Sequence, residues 1–183
     1  MLLQLPLELR ELILSYFTRK EYKESVPCKG LLLCKSYSSA EKFAVLKELP
    51  KVNLSSKDLL KLFFKSCKYN NLWLADKLII KFGVDPSTQQ NTAIRIASEF
   101  GSLEIVDRLL QDPRVNPTDK NNSALNLASS RGHVKVVDRL LKDSRVDPSV
   151  GDSHALYCAV MNRRTKVIER LLEDPRVRCC GED

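Results

Sequence analysis

Between Asn121 and Ser149 the chain reads NNSALNLASSRGHVKVVDRLLKDSRVDPS, and its apolar residues fall into two short bursts of different character. In the first, Ala124, Leu125 and Ala128 stand at i, i+1 and i+4, a narrow face of small residues that lets neighbouring helices approach closely. In the second, Val134, Val137, Leu140 and Leu141 form a wider stripe, also at helical spacing. The pattern predicts two helices. Gly132 and His133 separate them, the glycine supplying the positive φ that helix C-termini often need. Ser123 is placed to cap the first helix through its hydroxyl. Asp147-Pro148 ends the second, because proline lacks an N–H and disfavours helix at the residue before it.

The pattern recurs. Ala97, Ala128 and Ala159 are 31 residues apart, as are Leu109, Leu140 and Leu171, and Val115, Val146 and Val177. A fixed period of this size marks stacked supersecondary units, each burying its open face against the next. The stretches LLQDPRVNPT, LLKDSRVDPS and LLEDPRVRCC are the same exit from the second helix, with the valine as its buried anchor and the Asp and Arg as local turn chemistry. The segment from Asp58 to Ser87 fits the frame with Val84, and Ser55 or Ser56 is placed to cap its first helix. Cys34 to Ser55 fits it more loosely.

SALNLASSRGHVKVVDRLL resembles the ankyrin repeat, whose pattern is T-P-L-H-x-A-A-x-x-G-H-x-x-I-V-x-x-L-L, through Ala124, Leu125, Ala128, Gly132, His133, Val136, Val137, Leu140 and Leu141. Thr92, Ile94, Ala97, Gly101, Ile105, Val106, Leu109 and Leu110 match in the preceding unit. In the following one, Asn162-Arg163-Arg164 replaces the glycine turn. The resemblance implies an all-α helix-turn-helix solenoid with repeats at 56–87, 88–118, 119–149 and 150–183. The period of 31 falls short of the usual ~33 and the glycine of the hairpin tip is missing, so shorter tips are expected.

LQLPLELRELILSYF, Leu3 to Phe17, resembles the first helix of an F-box, roughly L-P-x-E-L-x-x-x-I-L-x-Y-L, through Leu5, Pro6, Glu8, Leu9, Ile13, Leu14 and Phe17. Pro6 suits a first helical turn, and Leu9, Ile13 and Phe17 share one face suited to a groove. F-boxes dock the Skp-type adaptor of cullin–RING (SCF-type) ubiquitin ligases, so the resemblance implies adaptor contact through Leu5, Pro6, Leu9, Ile13 and Phe17. The other reading of residues 1–30 is a helical segment that caps the array, with 31–55 either a degenerate repeat or the remainder of the F-box.

The net charge of +7 divides as +3 over residues 1–55 and +4 over 56–183, without a basic arm or block, which argues against a dedicated nucleic-acid binder. Lys57, Lys61, Lys65 and Lys68 line one helix face without interleaved aromatics, a solvated face or a phosphate-contacting stripe. No pair of the six cysteines is spaced C-x-x-C, and Cys179-Cys180 are adjacent, so reduced thiols in a cytoplasmic or nuclear protein are expected. The N-terminus lacks a basic n-region and a small-residue cleavage site, and no run approaches the ~18 apolar residues of a membrane span. No nucleotide-loop, zincin or nucleophile-elbow motif occurs. His133 takes a structural turn position and His154 a capping one, and His154 with Cys158, Cys179 and Cys180 lacks zinc-ligand spacing. Neither an enzyme, a cofactor nor a metal is expected.

The ankyrin resemblance implies protein–protein binding on the concave surface, through residues that end each first helix: Lys68 and Tyr69, Glu99 and Phe100, Ser130 and Arg131, Met161 and Asn162. These pairs differ from one another while the scaffold letters around them repeat. Tyr69 and Phe100 are candidate aromatic anchors or inter-repeat packing. Arg95, Asn126 and Tyr157 on the first helices, and Gln90, Lys120 and Asp152 at the tips, are secondary candidates. The expected function is a non-catalytic interaction module, with recruitment of clients to a ubiquitin ligase as its sharper form. A scaffold or inhibitor without ligase link, and a basic nucleic-acid-binding surface, are the alternatives.

Overall fold

The computed structural model describes residues 55–177, and these are all-helical, with no strand among them. Four antiparallel helix pairs follow in order: α1 (Ser56–Lys68) with α2 (Leu72–Phe82), α3 (Thr88–Glu99) with α4 (Leu103–Leu110), α5 (Asp119–Arg131) with α6 (Val134–Leu141), and α7 (Val150–Met161) with α8 (Thr165–Leu172). The inner helices α3, α5 and α7 stack on one another, and the outer helices α4, α6 and α8 form a second layer. Among the described residues, no helix is long and apolar enough to cross a membrane.

The outer helices explain why the fold must be an array. VKVVDRLL is two turns long with three valines, too short and too β-branched to persist alone. It exists because Val136, Val137, Leu140 and Leu141 are buried, each side chain contributing roughly 1.5–3 kcal/mol. The alanines of the inner helices, Ala93, Ala97, Ala124, Ala128, Ala155 and Ala159, are buried with them, and Val84, Val115 and Val146 are buried as the exit anchors.

Between the helices of each pair the turn residue is left-handed: Asn70, Gly101, Gly132 and Arg163 all have φ between 52° and 84°. Arg163 therefore occupies a glycine position. A non-glycine residue in this region costs about 1–2 kcal/mol, so Arg163→Gly is expected to stabilise the protein by about 1 kcal/mol in urea unfolding. An unchanged midpoint would mean that the arginine side chain compensates the backbone through contacts of its own.

The tips hold the largest departure from expectation. Gln89-Gln90-Asn91, Lys120-Asn121-Asn122 and Gly151-Asp152-Ser153 each make three consecutive residues with left-handed φ and ψ, just before the right-handed inner helix begins. The first two residues of each triplet are exposed and the third is buried. At the first two tips the third explains the geometry. Asn91 accepts the Asn116 N–H at 2.9 Å and donates to Asp119 at 2.5 Å, while Asn122 donates to the Asp147 carbonyl at 2.5 Å. Asparagine tolerates this backbone region and ties each tip to the next. The cap expected of Ser123 is not made. The chain arrives there from the left-handed turn, and the tip's own bond is Asn122 N–H to the Thr118 carbonyl at 2.9 Å.

Candidate protein-interaction surface

Two of the three exit turns, those of Arg145 and Arg176, prove to be clamps between neighbouring pairs. Asp112, Asp143 and Asp174 are buried or nearly so, and each accepts the backbone N–H of the arginine two residues on at 3.1 Å. Each also holds that guanidinium through both carboxylate oxygens, at 2.7–2.9 Å. The fixed guanidinium of Arg145 then donates to the Val115 and Leu110 carbonyls of the preceding pair at 2.9 and 3.0 Å. Arg176 repeats this on Val146 and Leu141 at 2.9 and 3.1 Å. The Asp and Arg of the exit stretch are thus more than the local turn chemistry expected of them. The repeat period is the signal for this second role, because the carbonyls lie 30 and 35 residues earlier.

A second ladder joins the outer helices: Arg108 reaches Asp76 at 2.6 Å, and Arg139–Asp107 and Arg170–Asp138 repeat it. These pairs are partly exposed and contribute about 0.2–1 kcal/mol each. At the turns, the Nε2 of His133 donates to the Glu99 carbonyl at 2.9 Å, and Arg164 Nε donates to the Ser130 carbonyl at 2.9 Å.

The arginines beside Asp112, Asp143 and Asp174 hold their carboxyls below the usual carboxylate range, and the Ser87 and Ser149 N–H and hydroxyl groups do so for Asp85 and Asp147. A depressed folded-state value contributes stability above the unfolded value of ~3.9, and that contribution is lost as pH falls through the folded one. The melting temperature is therefore expected to hold from neutral pH to about pH 5 and to fall steeply below about pH 4. The fall should be shallower in an Asp143→Asn variant; an identical acid slope would rule out this source. Burial pushes the Cys67 thiol up to about 12, which makes it a packing residue rather than a nucleophile.

The residues ending the inner helices come together in groups. Lys68 Nζ lies 4.5 Å from the centre of the Phe100 ring and 5.6 Å from that of Tyr69, a cation–π cluster spanning two pairs. Arg131 reaches back to Glu99 at 2.6 Å. Phe100 is 44% and Met161 64% exposed. Tyr69, Glu99 and Ser130 are half-buried, while Lys68, Arg131 and Asn162 are exposed. Met161 and Asn162 stand apart from the Lys68 and Glu99 groups, and Asn162 donates to the Cys158 carbonyl at 2.8 Å. The tip residues Gln90, Lys120 and Asp152 are exposed.

Two secondary candidates are committed to the scaffold. Arg95 donates to Thr92 at 2.6 Å and to the Gln89 carbonyl at 3.5 Å, and Asn126 donates to the Asn121 carbonyl at 2.9 Å, so both brace the left-handed tips. Tyr157, one period on, stacks on His154 with ring centres 5.7 Å apart and remains 57% exposed. Leu5, Pro6, Leu9, Ile13 and Phe17 lie outside the described residues. Among the described residues no cluster of His, Cys, Asp and Glu could hold a metal ion.

Compared with known families, the chain matches Ankyrin repeats (3 copies) over residues 63–152 and again over 95–181. No curated protein matches it. With well over half of its residues inside that match, and helix pairs stacked at the same period, the chain belongs to the ankyrin-repeat family.

Proposed function

We propose that this array is a non-catalytic module that holds a protein client on the ends of its inner helices and on its tips. One observation carries the reading. The buried columns repeat at every period, while the column beside them runs Lys68, Glu99, Ser130, Met161 and its neighbour Tyr69, Phe100, Arg131, Asn162. Packing accounts for the repeated letters and leaves the varied ones to a partner. In co-purification from cell extract, Phe100→Ala combined with Met161→Ala is expected to lose its partner by about tenfold or more, the effect of removing an interface anchor. Lys135→Ala with Lys166→Ala, on the outer helices, should retain it. Equal loss from both variants would place the client elsewhere.

The sharper reading is a client-recruiting adaptor of a cullin–RING ligase, favoured by the stretch LPLELRELILSYF. Leu9→Asp with Ile13→Asp in the full chain should abolish capture of purified Skp-type adaptor while leaving the melting of the array unchanged. If the wild-type chain fails to capture the adaptor, the first helix is a cap and the protein is a scaffold or inhibitor without ligase link.

A further inference from the structure

The exposed row on the inner helices changes character from one end to the other. α1 carries Lys57, Lys61, Lys65 and Lys68 against a single carboxylate, Asp58. The four lysines are exposed, and their spacing puts them on one helix face. Lys61 has only a loose contact to Asp58 at 3.8 Å and is 71% exposed on its side chain. At the end of the stripe Lys68 leans over Phe100, so the positive charge runs into the aromatic cluster.

In the middle pairs the charges are answered within the protein. Glu99 pairs with Arg131, and Arg95 is held by Thr92 and the Gln89 carbonyl. α7 carries neither lysine nor arginine, and Tyr157 and Met161 are each more than half exposed. Tyr157 stands one period beyond Asn126 and two beyond Arg95, and Met161 likewise follows Ser130, Glu99 and Lys68. The Arg95 column begins with Phe64 on α1, but in the columns of Lys57 and Lys68 the row passes from lysine, through polar or ion-paired residues, to the exposed apolar Val150 and Met161.

We infer that the client is a single chain segment that is acidic where it lies on α1 and apolar where it lies on α7. This deepens the protein-binding reading above and rests on it. Complementary charge fixes register and raises the association rate, and apolar anchors slow dissociation, so the two ends do different work. Neighbouring packed helices stand about 8–10 Å apart, which puts α7 about 25–30 Å from α1. An extended chain covers that in about eight or nine residues at ~3.3 Å each. The acidic and apolar ends of the segment must be separated by that span.

The test uses fluorescein-labelled peptides of about twelve residues and the full-length protein. One peptide carries four glutamates, a Gly-Ser spacer and a Leu-Phe-Leu end, and is made in both chain directions. The others are the acidic half alone, the apolar half alone, and a permuted peptide of the same composition with the acids at the centre. A duplex DNA of about twenty base pairs is measured beside them. One direction of the two-ended peptide is expected to bind about tenfold or more tighter than either half. Lys61→Glu with Lys68→Glu should weaken it about tenfold and flatten its salt dependence. Tyr157→Ser with Met161→Ser should weaken it about fivefold and leave the salt dependence unchanged.

The inference is overturned if a half-peptide or the permuted peptide binds as tightly, or if the duplex binds more tightly with the same lysines responsible. Absence of peptide binding at about 1 mM, weaker than any specific interface of this kind, overturns it as well. None of these results reaches the protein-binding reading itself, which the extract experiment decides with folded partners.

Discussion

Arg145→Ala is expected to lower the stability of the protein by about 3 kcal/mol, and Arg114→Ala by about 1 kcal/mol, although both occupy the same place in the repeat. Arg145 and Arg114 are gripped alike by Asp143 and Asp112, at 2.8 and 2.7 Å. Only Arg145 goes on to the Val115 and Leu110 carbonyls. Among the described residues, Arg114 donates to no carbonyl of the preceding pair. The reason lies in that pair. α2 runs on to Phe82 and closes with left-handed Gly83, which donates to the Leu78 carbonyl; KFGV stands where later pairs have DPRV or DSRV. Hydrogen bonds to a charged donor contribute about 1.5–3 kcal/mol each. Two of them, discounted for the partial exposure of the guanidinium, give the difference. Urea unfolding of the two variants beside wild type measures it. Equal losses would show that the clamp between pairs contributes nothing and that only the local turn matters.

Gly101→Ala is expected to cost about 2–3 kcal/mol, against about 1 kcal/mol for Gly83→Ala. Both glycines are left-handed, with φ of 71° and 66°, so both substitutions meet the backbone cost of about 1–2 kcal/mol. They differ in what surrounds them. A β-carbon on Gly101 would lie 2.6 Å from Nδ1 and 2.8 Å from Cε1 of His133, whereas nothing lies within 4 Å of one on Gly83. The imidazole cannot retreat without breaking its bond to the Glu99 carbonyl, which adds about 0.5–1.5 kcal/mol. A double variant with His133→Ala separates the two contributions. If Gly101→Ala costs as much in that background as in wild type, the histidine is not the obstacle.

Most of the scaffold is legible in the amino-acid sequence. Period, helix pairing, the glycine turn at Gly132 and the valine anchors follow from apolar spacing and proline placement, because burial of a two-turn helix leaves few arrangements open. The left-handed tips are not legible there. Gln89-Gln90-Asn91 and Lys120-Asn121-Asn122 have no glycine to announce a positive φ. The choice is made by buried side chains that bond across to the next tip, 25 residues on. The variable ends of the inner helices are legible in position but not in their contacts. Lys68, Phe100, Glu99 and Arg131 stand out as variable residues, yet nothing local says that Lys68 meets Phe100 or that Glu99 meets Arg131, 32 residues away in each case.

Residue spacing along one chain thus settles that this is a stacked helical array, where its turns fall, and which columns bury. Which polar groups answer one another across the stack is settled only in three dimensions: the arginine on two distant carbonyls, the histidine over the glycine, Arg95 and Asn126 bound to the tips while Tyr157 stays exposed. The physical reason is directionality. Apolar burial needs only area and tolerates many geometries, whereas a hydrogen bond or ion pair requires its partner within about 3 Å and well aligned. That alignment exists only after the pairs have stacked.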